Sequence, residues 1–159
     1  MKKTLIPIAL AFIFVAAAPA AFAGTANSTL TVQASIAANC TISNATLDFL
    51  AYDPVVTNAV ANLDASTSMN VACTKGVNPS VGFAAAGGTI TGGGGTLNYT
   101  LWQDATRTTA FGPSGAGLLS LGAAPSKAAR AFTIYGRIAG GQDQPVASYS
   151  GTIQATVNF

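Results

Sequence analysis

Apolar and polar residues alternate one by one in short runs along most of this chain, and that period of two is what most restricts its fold. In residues 28–37, Leu30, Val32, Ala34 and Ile36 fall on one face and Thr29, Thr31, Gln33 and Ser35 on the other. A strand with one buried face satisfies this pattern, and a helix does not. Short runs at 40–42 and 47–50 follow, closed by the Asp53-Pro54 turn signal. Residues 57–67 are weakly patterned and read as a loop, after which Met69, Val71 and Cys73 alternate with Ser68, Asn70 and Ala72. Residues 81–83 read as a strand behind the Asn78-Pro79 turn, and the glycine-dense 87–95 as a loop.

The second half continues in the same manner. Leu97, Tyr99 and Leu101 share a face; 104–107 read as a turn, 108–111 as a short return strand and 112–127 as irregular. Phe132, Ile134 and Ile138 mark a strand over 129–138, and 140–145 a turn-rich connection. In 149–159, Ile153, Ala155, Val157 and Phe159 alternate with Thr152, Gln154, Thr156 and Asn158. About eight or nine short strands separated by turn residues predict an all-β, antiparallel immunoglobulin-like sandwich with Greek-key connections. There is no internal repeat and no second domain.

The N-terminus reads differently. Lys2-Lys3, an apolar run from Leu5 to Val15 broken only by Pro7, and Ala21-Phe22-Ala23 form the pattern of a signal peptide over 1–23. The run is shorter than the roughly 20 residues a spanning helix needs. Export places Cys40 and Cys73 in an oxidising compartment, where one intramolecular bridge is the default and intermolecular pairing the alternative. Met69, Val71 and Cys73 share a face, so Cys73 points inward, as a bridge to Cys40 requires.

Charge and composition exclude whole classes of function. The chain has 7 basic and 5 acidic residues and no His. Without Lys2 and Lys3, the bases Lys75, Arg107, Lys127, Arg130 and Arg137 balance Asp48, Asp53, Asp64, Asp104 and Asp143. No basic cluster marks a nucleic-acid footprint. With neither His nor Glu in the sequence, no Ser-His-Asp or Cys-His arrangement can be built, and two Cys cannot complete a zinc site. Only an Asp pair assembled by the fold could do acid–base work, and the glycines form no dinucleotide fingerprint. The expectation is a non-enzymatic protein without metal or cofactor. Charged residues make up only 8% of the chain, far below the roughly 25% of ordinary soluble domains, which favours association. About two fifths of the apolar residues are Ala, so the core is thin and calls for a disulfide or a partner.

The two most regular runs, 28–37 and 149–159, lie at the ends of the mature chain, where segments usually fray. They could pair within their own domain or, by strand addition, with another chain. The stretch Tyr99-Thr100-Leu101-Trp102-Gln103-Asp104-Ala105-Thr106-Arg107-Thr108 bears on that choice. It resembles the Y-x-L-Y-x-D-x-x-R-T signature of spore coat U domain proteins, and Phe111-Gly112 resembles the aromatic-Gly pair that follows. Ile134-Tyr135-Gly136-Arg137-Ile138 is similar to the family's penultimate strand, and Gln144-Pro145 with 149–159 to its closing segment. The family often has Tyr-x-Asp-Thr where this chain has Tyr149-Ser150-Gly151-Thr152.

The resemblance implies an archaic (Csu-type) chaperone–usher pilin subunit, whose immunoglobulin-like domain lacks its final strand. Mapped onto this chain, residues 24–37 would be the donor strand, with Leu30, Val32, Ala34 and Ile36 entering a neighbour's groove. Ile153, Ala155, Val157 and Phe159 would line the acceptor groove. The partners implied are identical or related pilin subunits, a periplasmic chaperone and an outer-membrane usher. The protein would pass through the periplasm to a surface pilus, or be secreted, and support adhesion and biofilm formation. A spore or cyst coat protein is the alternative, as is a small carbohydrate-binding adhesin using Trp102 or Tyr135.

Overall fold

A computed structural model describes residues 23–159. The signal peptide expected over 1–23 therefore lies almost wholly outside the described residues. The chain divides into two units, 1–34 and 35–159. In the first, residues 23–34 carry no helix or strand, and Leu30 and Val32 are 86% and 82% exposed. The alternating run at 28–37 thus forms no strand within this chain, and Ile36, at the start of the second unit, is 87% exposed.

The second unit is an all-β, immunoglobulin-like sandwich of two antiparallel sheets. Its strands are β1 (Cys40–Ile42), β2 (Leu63–Cys73), β3 (Ser80–Phe83), β4 (Gly87–Gly92), β5 (Gly95–Trp102), β6 (Leu119–Ser120), β7 (Arg130–Ile138) and β8 (Ala155–Asn158). One sheet has the order β1-β2-β7-β5-β4 and the other β6-β3-β8. The chain crosses between sheets after β2, β3, β5, β6 and β7, so each sheet's inner face is stitched to the other.

β2 and β7 form the longest ladder, from Leu63↔Ile138 to Val71↔Arg130. Met69, Val71 and Cys73 on β2 and Phe132, Ile134 and Ile138 on β7 are buried. Val81 and Phe83 close the core from the second sheet, and Phe83 meets Phe111 edge-on at 4.9 Å between ring centroids. Cys40 and Cys73 are direct register partners and form a disulfide within the chain, closing 33 residues. On the chain-entropy model such a bridge contributes about 3–4 kcal/mol.

Several expectations are corrected. Residues 63–67 belong to β2 rather than to a loop, because β7 offers them a ladder that their own weak pattern does not announce. The glycine-dense 87–95 is a hairpin: Gly93 and Gly94 turn with φ of 56° and 82°, the left-handed pair a two-residue connection needs. Residues 47–50 form no strand, and 108–111 contribute only a bridge from Ala110 to Trp102. The closing run is a strand only over Ala155–Asn158, with Ser150 separately bridged to Thr91. Residues 112–127 include a 3-10 turn at Gly115–Gly117 and the two-residue β6.

Candidate functional site: an open apolar groove

The sandwich is not closed along one side. β8 pairs with β3 alone and β1 with β2 alone, so each is the last strand of its sheet. Between the segments 42–54 and 142–155 lies a cavity of about 1200 Å³. Its lining includes Met69, Leu97, Tyr99, Leu101, Ile134 and Ile138, which are inner-face residues of β2, β5 and β7. In a closed sandwich these side chains would meet another strand. Here they form the floor of the cavity while almost all of them stay buried, so the groove opens directly onto the core.

Both walls are positioned by identifiable devices. Thr41 and Ile42 pair with Ala72 and Val71, and Ser43 continues the wall by exchanging hydrogen bonds with Asn70. Leu47 and Phe49 then settle over Gly136, where a Cβ would stand 2.5 Å from Leu47 Cδ2 and 2.7 Å from Phe49 Cζ. The absence of a side chain at Gly136 is what seats this wall on β7. Farther along, the Tyr52 hydroxyl accepts the Gln142 N–H at 2.9 Å and donates to the Ala139 carbonyl at 3.1 Å. The buried Asn58 amide braces the same corner, accepting from the Asp53 N–H and donating to the Ala61 carbonyl. The opposite wall hangs on the β4–β5 hairpin, where Gln144 and Gln142 side chains accept the N–H groups of Thr96 and Asn98.

Ile153 and Ala155 line the groove. Val157 packs against the core from β8 without lining the groove, and Phe159 lies beyond β8 and is exposed. Leu30, Val32, Ala34 and Ile36 are exposed and outside any strand.

The residues of the 99–108 motif divide between groove and scaffold. Tyr99 and Leu101 line the groove, and burial pushes the Tyr99 phenol up. Asp104 holds the following turn: its carboxylate accepts from the Thr106 hydroxyl, from the Thr108 hydroxyl and N–H, and from the Thr109 N–H at 2.8 Å. Those bonds, led by the Thr106 hydroxyl, hold its pKa far below the ordinary carboxylate range. The turn also puts Arg107 in the left-handed region at φ 58°.

Arg107 then lies over the Tyr135 ring at 6.0 Å, with its Nε 3.3 Å from Asp64 Oδ1 but not aimed as a hydrogen bond. Arg137 grips the same Asp64 bidentately at 2.8 and 2.9 Å, which lowers the Asp64 pKa. Trp102 sits opposite Tyr135 in the ladder and donates its indole N–H to Thr100 Oγ1. Since Arg107 occupies a face of Tyr135, that ring is not an open platform for a sugar.

Tyr52, Asn58 and Gln142 carry the groove's corner, and only the Asp53-Pro54 turn signal hinted at it in the sequence. Among the described residues no three His, Cys, Asp or Glu side chains gather as a metal site, and no helix is long and apolar enough to cross a membrane.

A family model for the Spore Coat Protein U domain matches residues 26–156. The chain is also 32% identical over 180 residues to Protein U of Myxococcus xanthus, covering 100% of this chain and 98% of that protein. On both grounds, this chain belongs to the Spore Coat Protein U domain family of surface structural proteins.

Proposed function

We propose that this protein is a self-assembling surface subunit, in which residues 24–37 of one copy fill the groove of the next. The observation that carries this reading is the pairing of two unfinished features: an alternating arm with Leu30, Val32 and Ile36 in solvent, and an apolar groove of about 1200 Å³ beside an unpaired strand edge. An inserted strand gains ladder hydrogen bonds and buries alternate side chains. Leu30, Val32 and Ile36 would contribute roughly 1.5–3 kcal/mol each, and the small Ala34 would add less. Arm and groove are different surfaces, so the contact is head-to-tail and builds an open filament.

In this reading the 1–23 segment directs export. A periplasmic chaperone shields the groove until an outer-membrane usher exchanges it for the next subunit's arm. The product is a pilus that supports adhesion and biofilm formation; a coat built through the same contact is the variant of this reading. Deleting 24–37 should leave a folded domain that binds chaperone and does not polymerise. Electron microscopy and light scattering of the deleted chain check this, and fibres of normal length would refute strand donation.

A further inference from the structure

The side-chain charges of this neutral domain are sorted by position. One step from the Leu63↔Ile138 end of the β2–β7 ladder, Asp64 pairs with Arg137 and Arg107, and Asp104 is consumed by its own turn, so these four charges cancel among themselves. The remaining six charged side chains divide between the two ends of the β2–β7 ladder. At the Val71↔Arg130 end are Lys75, in the turn after β2, Lys127, and Arg130, whose guanidinium holds the Leu121 and Gly122 carbonyls. The 121–127 stretch is tied to the Lys75 turn, since the Gly76 N–H donates to the Ala124 carbonyl at 2.8 Å. Toward the Leu63↔Ile138 end are Asp53, Asp143 and, partway along the groove wall, Asp48. That acidic end is also where exposed aliphatic side chains concentrate: Leu50, Val55, Val56, Val60 and Val146. Leu50 and Val146 belong to the groove's own rim.

The root of the arm lies at the basic end. Thr74, next to Lys75, donates to the Ala37 carbonyl at 3.2 Å and accepts the Asn39 N–H at 3.2 Å. Ile36, the last of the alternating apolar residues, therefore sits one residue from a point fixed to its own domain. At about 3.4 Å per residue, a neighbour whose groove holds Ile36 must touch the donor's basic end. β8 runs from the acidic end toward the basic end, because Asn158 pairs with Ser80 just after the Pro79 that binds Leu121. A guest strand antiparallel to β8 would bring the donor's basic end onto the acceptor's acidic, aliphatic rim. A parallel guest would bring basic end against basic end.

We infer that the rim formed by Leu50, Val55, Val56 and Val146, flanked by Asp48, Asp53 and Asp143, is a second docking surface, and that its occupant is the basic end of the next copy of this chain. The inference rests on the strand-donation reading and adds what that reading lacks, a body-to-body contact that fixes the direction of the donated strand. Like charges across a contact are costly and opposite charges steer encounter, so the contact both speeds assembly and rejects the reversed strand.

The test uses the processed chain, Gly24 onward, with its disulfide intact, and follows polymer growth by light scattering. Lys75→Glu with Lys127→Glu makes both ends acidic, and Asp48→Lys with Asp143→Lys makes both basic. Each double variant should assemble about three- to tenfold more slowly at low salt, and the difference should shrink at about 0.5 M salt. Combining all four substitutions restores complementarity and should restore the rate, which a folding defect cannot do. Double variants that assemble like the unsubstituted chain at low salt, or a fourfold variant as slow as either, would overturn the second contact while leaving strand donation intact. An unsubstituted chain that never assembles would remove both.

Discussion

Residues 130–138 and residues 28–37 alternate apolar and polar side chains with the same period, and their surroundings are opposite. Phe132, Ile134 and Ile138 are buried between the sheets, whereas Leu30, Val32 and Ile36 stand in solvent. Period-two alternation reports that a segment suits a half-buried strand; it does not report whose sheet it joins. β7 finds β2 and β5 within its own domain. The arm finds no strand there, and the sandwich keeps a groove of matching character. The difference is one of partner, not of propensity.

Truncation at equivalent places should separate the two segments most. Ile134→Ala should cost about 2–5 kcal/mol in denaturant unfolding of the unassembled domain, because it removes buried volume from a core already short of large residues. Ile36→Ala should change the same measurement by no more than about 0.5 kcal/mol. A comparable cost for both would mean that the arm pairs at home.

The disulfide comes next. It ties β1, the strand that continues from the arm, to β2, so Cys40→Ser with Cys73→Ser should lower stability by about 3–4 kcal/mol. A loss well under that would mean that β1 is held by its ladder alone. Gly136→Val should cost about 1–3 kcal/mol by overpacking against Leu47 and Phe49. It should also weaken binding of a peptide spanning 28–37 more than the stability loss explains, since those two residues line the groove. Calorimetric titration reads the second effect.

The smallest effect is a pH dependence. Hydrogen bonds from Thr106, Thr109 and Thr108 depress the Asp104 pKa, and Arg137 depresses that of Asp64. Groups depressed in the folded state contribute stability that is complete above the ordinary carboxyl value of about 4 and lost as pH falls through the folded-state value. The melting temperature should therefore drop on acidification below about pH 4. Asp104→Asn, which keeps an acceptor, should melt lower near neutrality and flatten that acid slope. An unchanged slope would show that the turn does not need the ionised carboxylate.

The β2–β7 pair was readable from sequence because Met69, Val71 and Cys73 alternate as cleanly as Phe132, Ile134 and Ile138. The first residues of β2 were not, since Asp64, Ser66 and Thr67 join the ladder only because β7 lies beside them. Nor was the β4–β5 hairpin: its glycines look like a loop in sequence, but Gly92 and Gly95 lie so close to the 144–149 segment that side chains would collide. In the candidate site, Ile153 and Ala155 were legible from their alternation. The Leu47–Phe49 wall over Gly136 and the Tyr52–Asn58–Gln142 corner depend on contacts between distant parts of the chain.

The central claim, that the groove accepts this chain's own arm as a strand antiparallel to β8, can be tested in one molecule. Residues 28–37 are removed from the front and appended after Phe159 through a short Gly-rich turn, and the thermal unfolding midpoint is measured. The account predicts a monomer that melts roughly 10 °C or more above the arm-deleted domain, with the gain abolished when Leu30, Val32 and Ile36 are changed to Ser. A midpoint equal to that of the arm-deleted domain would contradict it.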